Sequence, residues 1–194
     1  YVKRNTHKNT SWDRAKFEVV GHKYADLSSH DYGVALLNDC KYGYMVHDNI
    51  LDLNLLRSPN NPDPDADQGS HLFSYSLLPH KNDLVHSDVI IESSCLNQYP
   101  IIFEDVRSEI DIPLKISGEG LELSVLKKAE KEEQWVIRII EVHGKTSNGF
   151  LHLSGILTEC DLMEWDELSN PIEVKEKFLI ILQPFEIRTY KYKR

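Results

Sequence analysis

The sequence predicts an all-β fold: a β-sandwich of antiparallel strands, with room for two stacked sandwich subdomains. Three observations carry that expectation. Apolar and polar residues alternate with a period of two in nearly every patterned stretch, as they do in half-buried strands. Such stretches recur about every ten to twelve residues with turn residues between them, the spacing of sandwich folds. And the segment richest in helix formers, "KKAEKEE", has no apolar stripe to hold a helix against a core.

Taken in order, Phe17 and Val19 alternate with Lys16 and Glu18. "YGVALLNDCKYGYMVHDNILDLNLL" reads as two or three strands broken at Asn38-Asp39 and Asp48-Asn49, residue pairs that suit tight turns. "ILDLNLL" sets Leu51, Leu53 and Leu55 against Asp52 and Asn54, and "FSYSL" sets Phe73, Tyr75 and Leu77 against Ser74 and Ser76. "DVIIESS" and "PIIF" are read as further short apolar strands. In the second half Leu121, Leu123 and Val125 alternate with Glu122 and Ser124. "KKAEKEE", Lys127 to Glu133, is then a solvated hairpin tip. "WVIRIIEV" is apolar on both faces apart from Arg138 and Glu141, so it belongs inside a sheet. "FLHLSGIL" and "KFLIILQPFEIRTYKY" complete the set. Trp12 is expected to pack into a sheet from the turn "NTSWD", with stacking on a sugar ring as the alternative, Trp135 to lie in the core, and Trp165 to cover an edge.

The polar stretch "DVRSEID", Asp105 to Asp111, separates two strand-rich halves. It predicts residues 1–105 as part of a larger sandwich and residues 106–194 as a compact terminal one. The first half would then be an incomplete sheet whose edges need a partner, which also leaves a homo-oligomer open.

Bulk properties narrow the function. The chain has 194 residues, 41% hydrophobic and 27% charged, enough to bury a real core. A net charge of -9 argues against nucleic acid, because binding phosphates calls for a basic surface. No apolar run approaches the ~18 residues of a membrane span. Three cysteines, Cys40, Cys95 and Cys160, are odd in number and far apart, which suits reduced thiols in the cytoplasm better than disulfides. The start, "YVKRNTHKNTSWD", looks like a segment of something longer.

One stretch carries chemistry-bearing residues at close spacing: "SPNNPDPDADQGSH", Ser58 to His71. Its alternating Asp63, Asp65 and Asp67 invite a calcium reading. A calcium-binding hand needs Gly at loop position six and Glu at position twelve; counted from Asp63, those positions hold Gln68 and Ser74. The flanks are strands, not helices, so the loop joins two strands. It either caps its own turns, each Asp accepting from a nearby backbone N–H, or presents carboxylates and an amide to a ligand. Elsewhere the nine histidines show no i, i+4 ligand pair, Asp39 beside Cys40 lacks the paired His of an activated nucleophile, and Glu104 and Asp105 would point to opposite faces of a strand.

The long words "RNTHKNTSWDRAKFEVVGHKYADLSSHDYGVALLNDCKYGY", "LLRSPNNPDPDADQGSHLFSYSLLPH" and "PFEIRTYK" resemble, in one order, the C-terminal β region of the α-mannosidases of glycoside hydrolase family 38. The likeness is to the cytosolic or vacuolar branch of bacteria and fungi. "VIRIIEVHG" and "DLMEWDE" look like that family's terminal sandwich. The resemblance covers about Arg4 to Lys191. It implies a parent enzyme that hydrolyses α-mannosides with retention through two carboxyl groups, aided by a zinc ion in its N-terminal α/β catalytic domain. No catalytic or metal residue of that domain has a counterpart here, so the chain alone is expected to bind no metal and catalyse nothing. Its partners are expected to be that catalytic domain and, through it, an α-mannoside glycan.

What the resemblance does carry over is a loop at the rim of the sugar pocket: Arg57, Asp63, Asp65, Asp67, Gln68 and Gly69. Arg57 is expected to anchor the loop by its forked guanidinium, the prolines to stiffen it, and Gly69 to supply a positive φ. The location it implies is cytoplasmic, or vacuolar in a fungus. A free-standing carbohydrate-binding sandwich is the alternative; it would need a groove of exposed aromatic side chains.

Overall fold

The computed structural model describes residues 1–105 and 114–194. The stretch read as a boundary, Asp105 to Asp111, lies outside the described residues from 106 onward. Helix α1 (Ser11–Ala15) leads into strands β1 (Val19–Val20), β2 (Tyr24–Ser28), β3 (Tyr32–Asn38), β4 (Gly43–His47), β5 (Ile50–Asn54) and β6 (Tyr75–Lys81). Helix α2 (Val89–Asn97) follows. Strands β7 (Lys115–Ser117), β8 (Leu121–Lys128), β9 (Trp135–Glu141) and β10 (Ser147–His152) come next. The last are β11 (Gly155–Cys160), β12 (Ile172–Val174), β13 (Lys177–Leu182) and β14 (Ile187–Lys193). All the pairings are antiparallel, as the fold-class reading requires. The chain divides into two compact units, one of residues 2–104 and one of the described part of Asp105–Arg194 with Tyr1.

In the first unit two three-stranded sheets form, in the orders β1-β4-β5 and β2-β3-β6. Consecutive strands β3 and β4 therefore lie in different sheets. Alternation along β3 turns Ala35 and Leu37 toward helix α2, where they bury with Val89 against Tyr24, Leu78, Leu84 and Leu96. The "DVIIESS" stretch is thus helix, not strand. Its β-branched residues favour a strand locally, but Val89, Ser93 and Leu96 recur at helical spacing and face the sheet, and tertiary packing outweighs propensity there. "PIIF", 100–103, has no regular structure.

The two small sheets are joined by a polar hub. Asn38, at the end of β3 and 1% exposed, donates from Nδ2 to the His22 carbonyl at 3.0 Å and to the Tyr44 hydroxyl. Its Oδ1 accepts from Cys40 N and Lys41 N. Tyr44 is likewise buried, and burial pushes its phenol up to about 12, against the lowering effect of the Asn38 hydrogen bond. The sign follows directly. The raised group contributes stability below its unfolded value near 10, lost as pH rises toward 12. We expect the 2–104 unit to lose on the order of 2 kcal/mol over that window. Ultraviolet titration at fixed denaturant should show this, and Tyr44→Phe should remove it.

The second unit is a sandwich of a five-stranded sheet, β12-β11-β14-β9-β8, and a three-stranded sheet, β13-β10-β7. Ile137, Ile139, Leu151, Leu157, Ile180 and Leu182 are buried together with Tyr190 and Tyr192 in its core. As expected, β9 is flanked on both sides and "KKAEKEE" forms the β8–β9 hairpin tip. The tryptophans differ from expectation. Trp135 is 42% exposed because it opens β9 beyond the rim of the core. Trp12 is 77% exposed on α1, which a reciprocal Thr10–Asp13 capping box starts. Trp165 is 64% exposed under the Lys131 ammonium.

Candidate functional site

The loop between β5 and β6 links the two sheets of the first unit. Its base is fixed by residues outside it. Asp39 accepts from Ser74 N at 3.0 Å through Oδ2, and Lys41 sits 4.8 Å from the Phe73 ring centroid. Within the loop the closure is made by Asp67. Its Oδ2 accepts from Ser58 N at 2.9 Å and from Arg57 N at 3.4 Å. These backbone donors hold the carboxyl below the ordinary aspartate range. Asp67 itself sits at φ 60 and Ser58 at φ 46, a left-handed region that Asp and Asn tolerate better than most residues. The Asp67 carbonyl meets His71 Nε2 at 2.8 Å, completing the clamp.

The remaining candidates divide into loop builders and free groups. Asp63 Oδ1 accepts from Asp65 N at 3.0 Å, a self-capped turn. Gln68 Nε2 donates to the Pro64 carbonyl and to Asp65 Oδ1. Gly69 adopts φ 111, with open space where a Cβ would stand, as its expected role requires. Asn61-Pro62 is cis. Arg57 departs from expectation: its backbone, not its guanidinium, ties the loop. Among the described residues that guanidinium makes no hydrogen bond or ion pair. The structure thus brings Arg57, Asp67 and His71 together at the neck and Asp63, Asp65 and Gln68 at the tip, all exposed.

The loop does not fit a metal. Asp63 and Asp67 face backbone donors, and among the described residues no three His, Cys, Asp or Glu side chains gather as a metal would need. Zinc, implied by the resemblance for a catalytic domain, has no ligand set among these residues.

Sequence reasoning missed one buried polar site. His80 Nε2 meets Asp26 Oδ1 at 2.8 Å with both side chains almost fully buried, and Ser28 Oγ donates to Asp26 Oδ2 at 2.6 Å. Gly33 lies between them in β3; a Cβ there would come within 2.5 Å of the His80 ring. The serine bonds the carboxylate, not the imidazole, so no nucleophile–base contact exists and the network clamps β2 to β6 across β3. A glycine amid the apolar run of β3 is the signal that could have revealed it. At Asp39–Cys40 the adjacent carboxylate raises the thiol's pKa, the reverse of activation.

With this geometry in hand, two family descriptions match the chain. "Glycosyl hydrolases family 38 C-terminal domain" covers residues 1–65, and "Glycosyl hydrolases family 38 C-terminal beta sandwich domain" covers residues 120–190. Alpha-mannosidase G of Dictyostelium discoideum is 41% identical over 99% of this chain and 19% of its own length. Human alpha-mannosidase 2C1 is 38% identical over 96% of the chain and 19% of its own. The alpha-mannosidase of Saccharomyces cerevisiae is 36% identical over 98% and 20%. The chain therefore spans about a fifth of these relatives. Among solved structures, an Enterococcus faecalis protein of glycosyl hydrolase family 38 superposes with a TM-score of 0.66 at 18% identity, covering 91% of this chain and 22% of that one. An alpha-mannosidase from the same species superposes with 0.66 at 17%, covering 99% and 23%. Both support the fold.

Proposed function

The chain belongs to glycoside hydrolase family 38, as its C-terminal β region, and from that premise we propose that it is the non-catalytic scaffold of an α-mannosidase, holding the Arg57–Gly69 loop at the rim of the sugar pocket. The relatives' names supply the reaction, hydrolysis of α-mannosides. The catalytic part of the same polypeptide is then its partner, the glycan its indirect ligand, and zinc a group held by that catalytic part alone. The three unpaired thiols support a reducing, cytoplasmic setting.

The observation that carries this reading is the division of labour within the loop. Asp67, Asp63 and Gln68 are satisfied inside it, whereas the Arg57 guanidinium is held out on a backbone that Asp67 fixes. A guanidinium is a five-donor fork suited to hydroxyl and carboxylate acceptors, and preorganisation of its backbone lowers the cost of using it. In the full-length enzyme, Asp67→Ala is expected to lower kcat/KM on an aryl α-mannoside by about tenfold to a hundredfold, the usual price of misplacing a contact group. Because Asp67 is exposed, thermal stability should hold. Unchanged kinetics in both Asp67→Ala and Arg57→Ala would reduce the loop to a self-capped surface turn. The isolated chain should show no hydrolysis and no mannoside affinity by titration.

A further inference from the structure

The outer face of the five-stranded sheet is covered where a sandwich sheet ordinarily meets water. Register places Cys160, Thr189 and Arg138 in one cross-strand row, and Thr158, Lys191 and Val136 in the next. Cys160, Thr158, Thr189 and Lys191 are all less than 8% exposed, on the side away from the core residues Leu157, Tyr190 and Tyr192. Two hairpin tips do the covering. The β11–β12 tip, Asp161 to Leu168, folds back over the sheet. Its Glu164 reaches Lys127 at 3.0 Å and Arg138 at 3.3 Å, while Arg138 also donates to the Leu162 carbonyl. The β8–β9 tip meets it, with Lys131 over the Trp165 ring and Glu132 on Lys191 at 3.1 Å.

At its base the tip is tied by backbone pairing, Leu168 N donating to the Glu159 carbonyl at 2.7 Å and Cys160 bridging Glu167; beyond that base, what holds the cover is charge. Leu162, Met163, Trp165 and Leu168 are each more than half exposed, so the β11–β12 tip buries little apolar area against the sheet. Glu164 sits at φ 65, a conformation that costs a non-glycine residue roughly 1–2 kcal/mol. Lys127 is 39% exposed, so its pair with Glu164 is screened by salt, while the deeper Arg138 pair is screened less; a segment with few apolar contacts opens at less cost than the global fold. The core on the opposite face need not be breached.

We propose that the Asp161–Leu168 tip is a charge-held latch. It lifts from the outer face about its paired base while the sandwich stays folded, uncovering Cys160, and the Glu164 pairs set how often it does so. Cys160 supplies the readout. N-ethylmaleimide labelling of this chain, located by mass spectrometry, is followed from about 0.02 M to about 1 M sodium chloride, a range that shortens the Debye length severalfold. Cys95 is exposed and serves as the internal reference. Relative to it, Cys160 labelling should rise about fivefold or more, since a latch of a few ion pairs is worth about that factor, while the urea midpoint stays the same or rises. Glu164→Gln should give the faster rate already at low salt and flatten the salt response. Amide exchange in residues 161–168, on the unaltered chain, should accelerate with Cys160 labelling. A salt-independent Cys160 rate, or one tracking global unfolding in urea, overturns the proposal even if the variant fails to fold.

Discussion

Replacing Glu141 with alanine is expected to remove roughly 3–5 kcal/mol from the terminal sandwich, read as a lowered urea midpoint by far-ultraviolet circular dichroism. The residue closes β9 and is fully buried. Its carboxylate accepts from Gly144 N at 2.8 Å, His143 N and Phe185 N at 2.9 Å, and Ser147 Oγ at 3.1 Å. Alanine would leave these donors without their acceptor, each at a cost comparable to a lost hydrogen bond. The turn it binds depends on Gly144 at φ 70. Burial alone would push the carboxyl up, but the hydrogen bonds outweigh it and the group is held below its ordinary value of 4.5. A depressed carboxyl contributes stability above its unfolded pKa, lost as pH falls through the folded one. The sandwich should therefore weaken below about pH 4.5, and Glu141→Gln, starting less stable, should show a shallower acid limb. An unchanged midpoint for Glu141→Ala would contradict the assigned role.

Asn38→Ala should have the next largest effect, about 3 kcal/mol, confined to residues 2–104. Four partners meet in that one amide: the His22 carbonyl, the Tyr44 hydroxyl, and the Cys40 and Lys41 amides. Among the described residues the buried apolar cluster at helix α2 comprises Ala35, Leu37 and Val89, a small reserve against such a loss. Asn38→Asp keeps the acceptor and loses the donor, so it should fall between. In a urea titration the first unit should melt earlier, while the second keeps its midpoint. Coincident shifts of both transitions would mean the hub acts beyond its own unit.

Strands were legible wherever one face is wet, because alternation then writes burial into the sequence. Thus β5 and β8 read directly from alternation, and β9, apolar on both faces, from its continuous apolar run. Helix α2 was not legible, since Val89-Ile90-Ile91 favours a strand locally and only the sheet it covers makes it helical. Trp135 misled because its strand is core but its end is not. The family words singled out the β5–β6 loop, yet not its internal hydrogen bonds. That Asp67 closes it, and that the Arg57 guanidinium has no partner among the described residues, follow from a backbone with positive φ at Ser58 and Asp67, which residue types do not encode. Glu141 was visible as a charge in an apolar strand; its four donors come from turns and the start of β10, up to 44 residues away.

The placement of β6 beside β3 has a consequence for how the first unit is made. Tyr32 pairs with Lys81 across the whole β3–β6 register, so the sheet cannot close until both the β4–β5 hairpin and the long loop have been synthesised. Assembly of this unit is governed by distant encounters, which slow the search, whereas the β8–β9 ribbon needs only its own short turn. On a ribosome the earlier half must wait, half-formed, for residues that arrive about fifty positions after it begins, and the later half waits likewise for β14, whose Tyr192 pairs with Trp135 of β9.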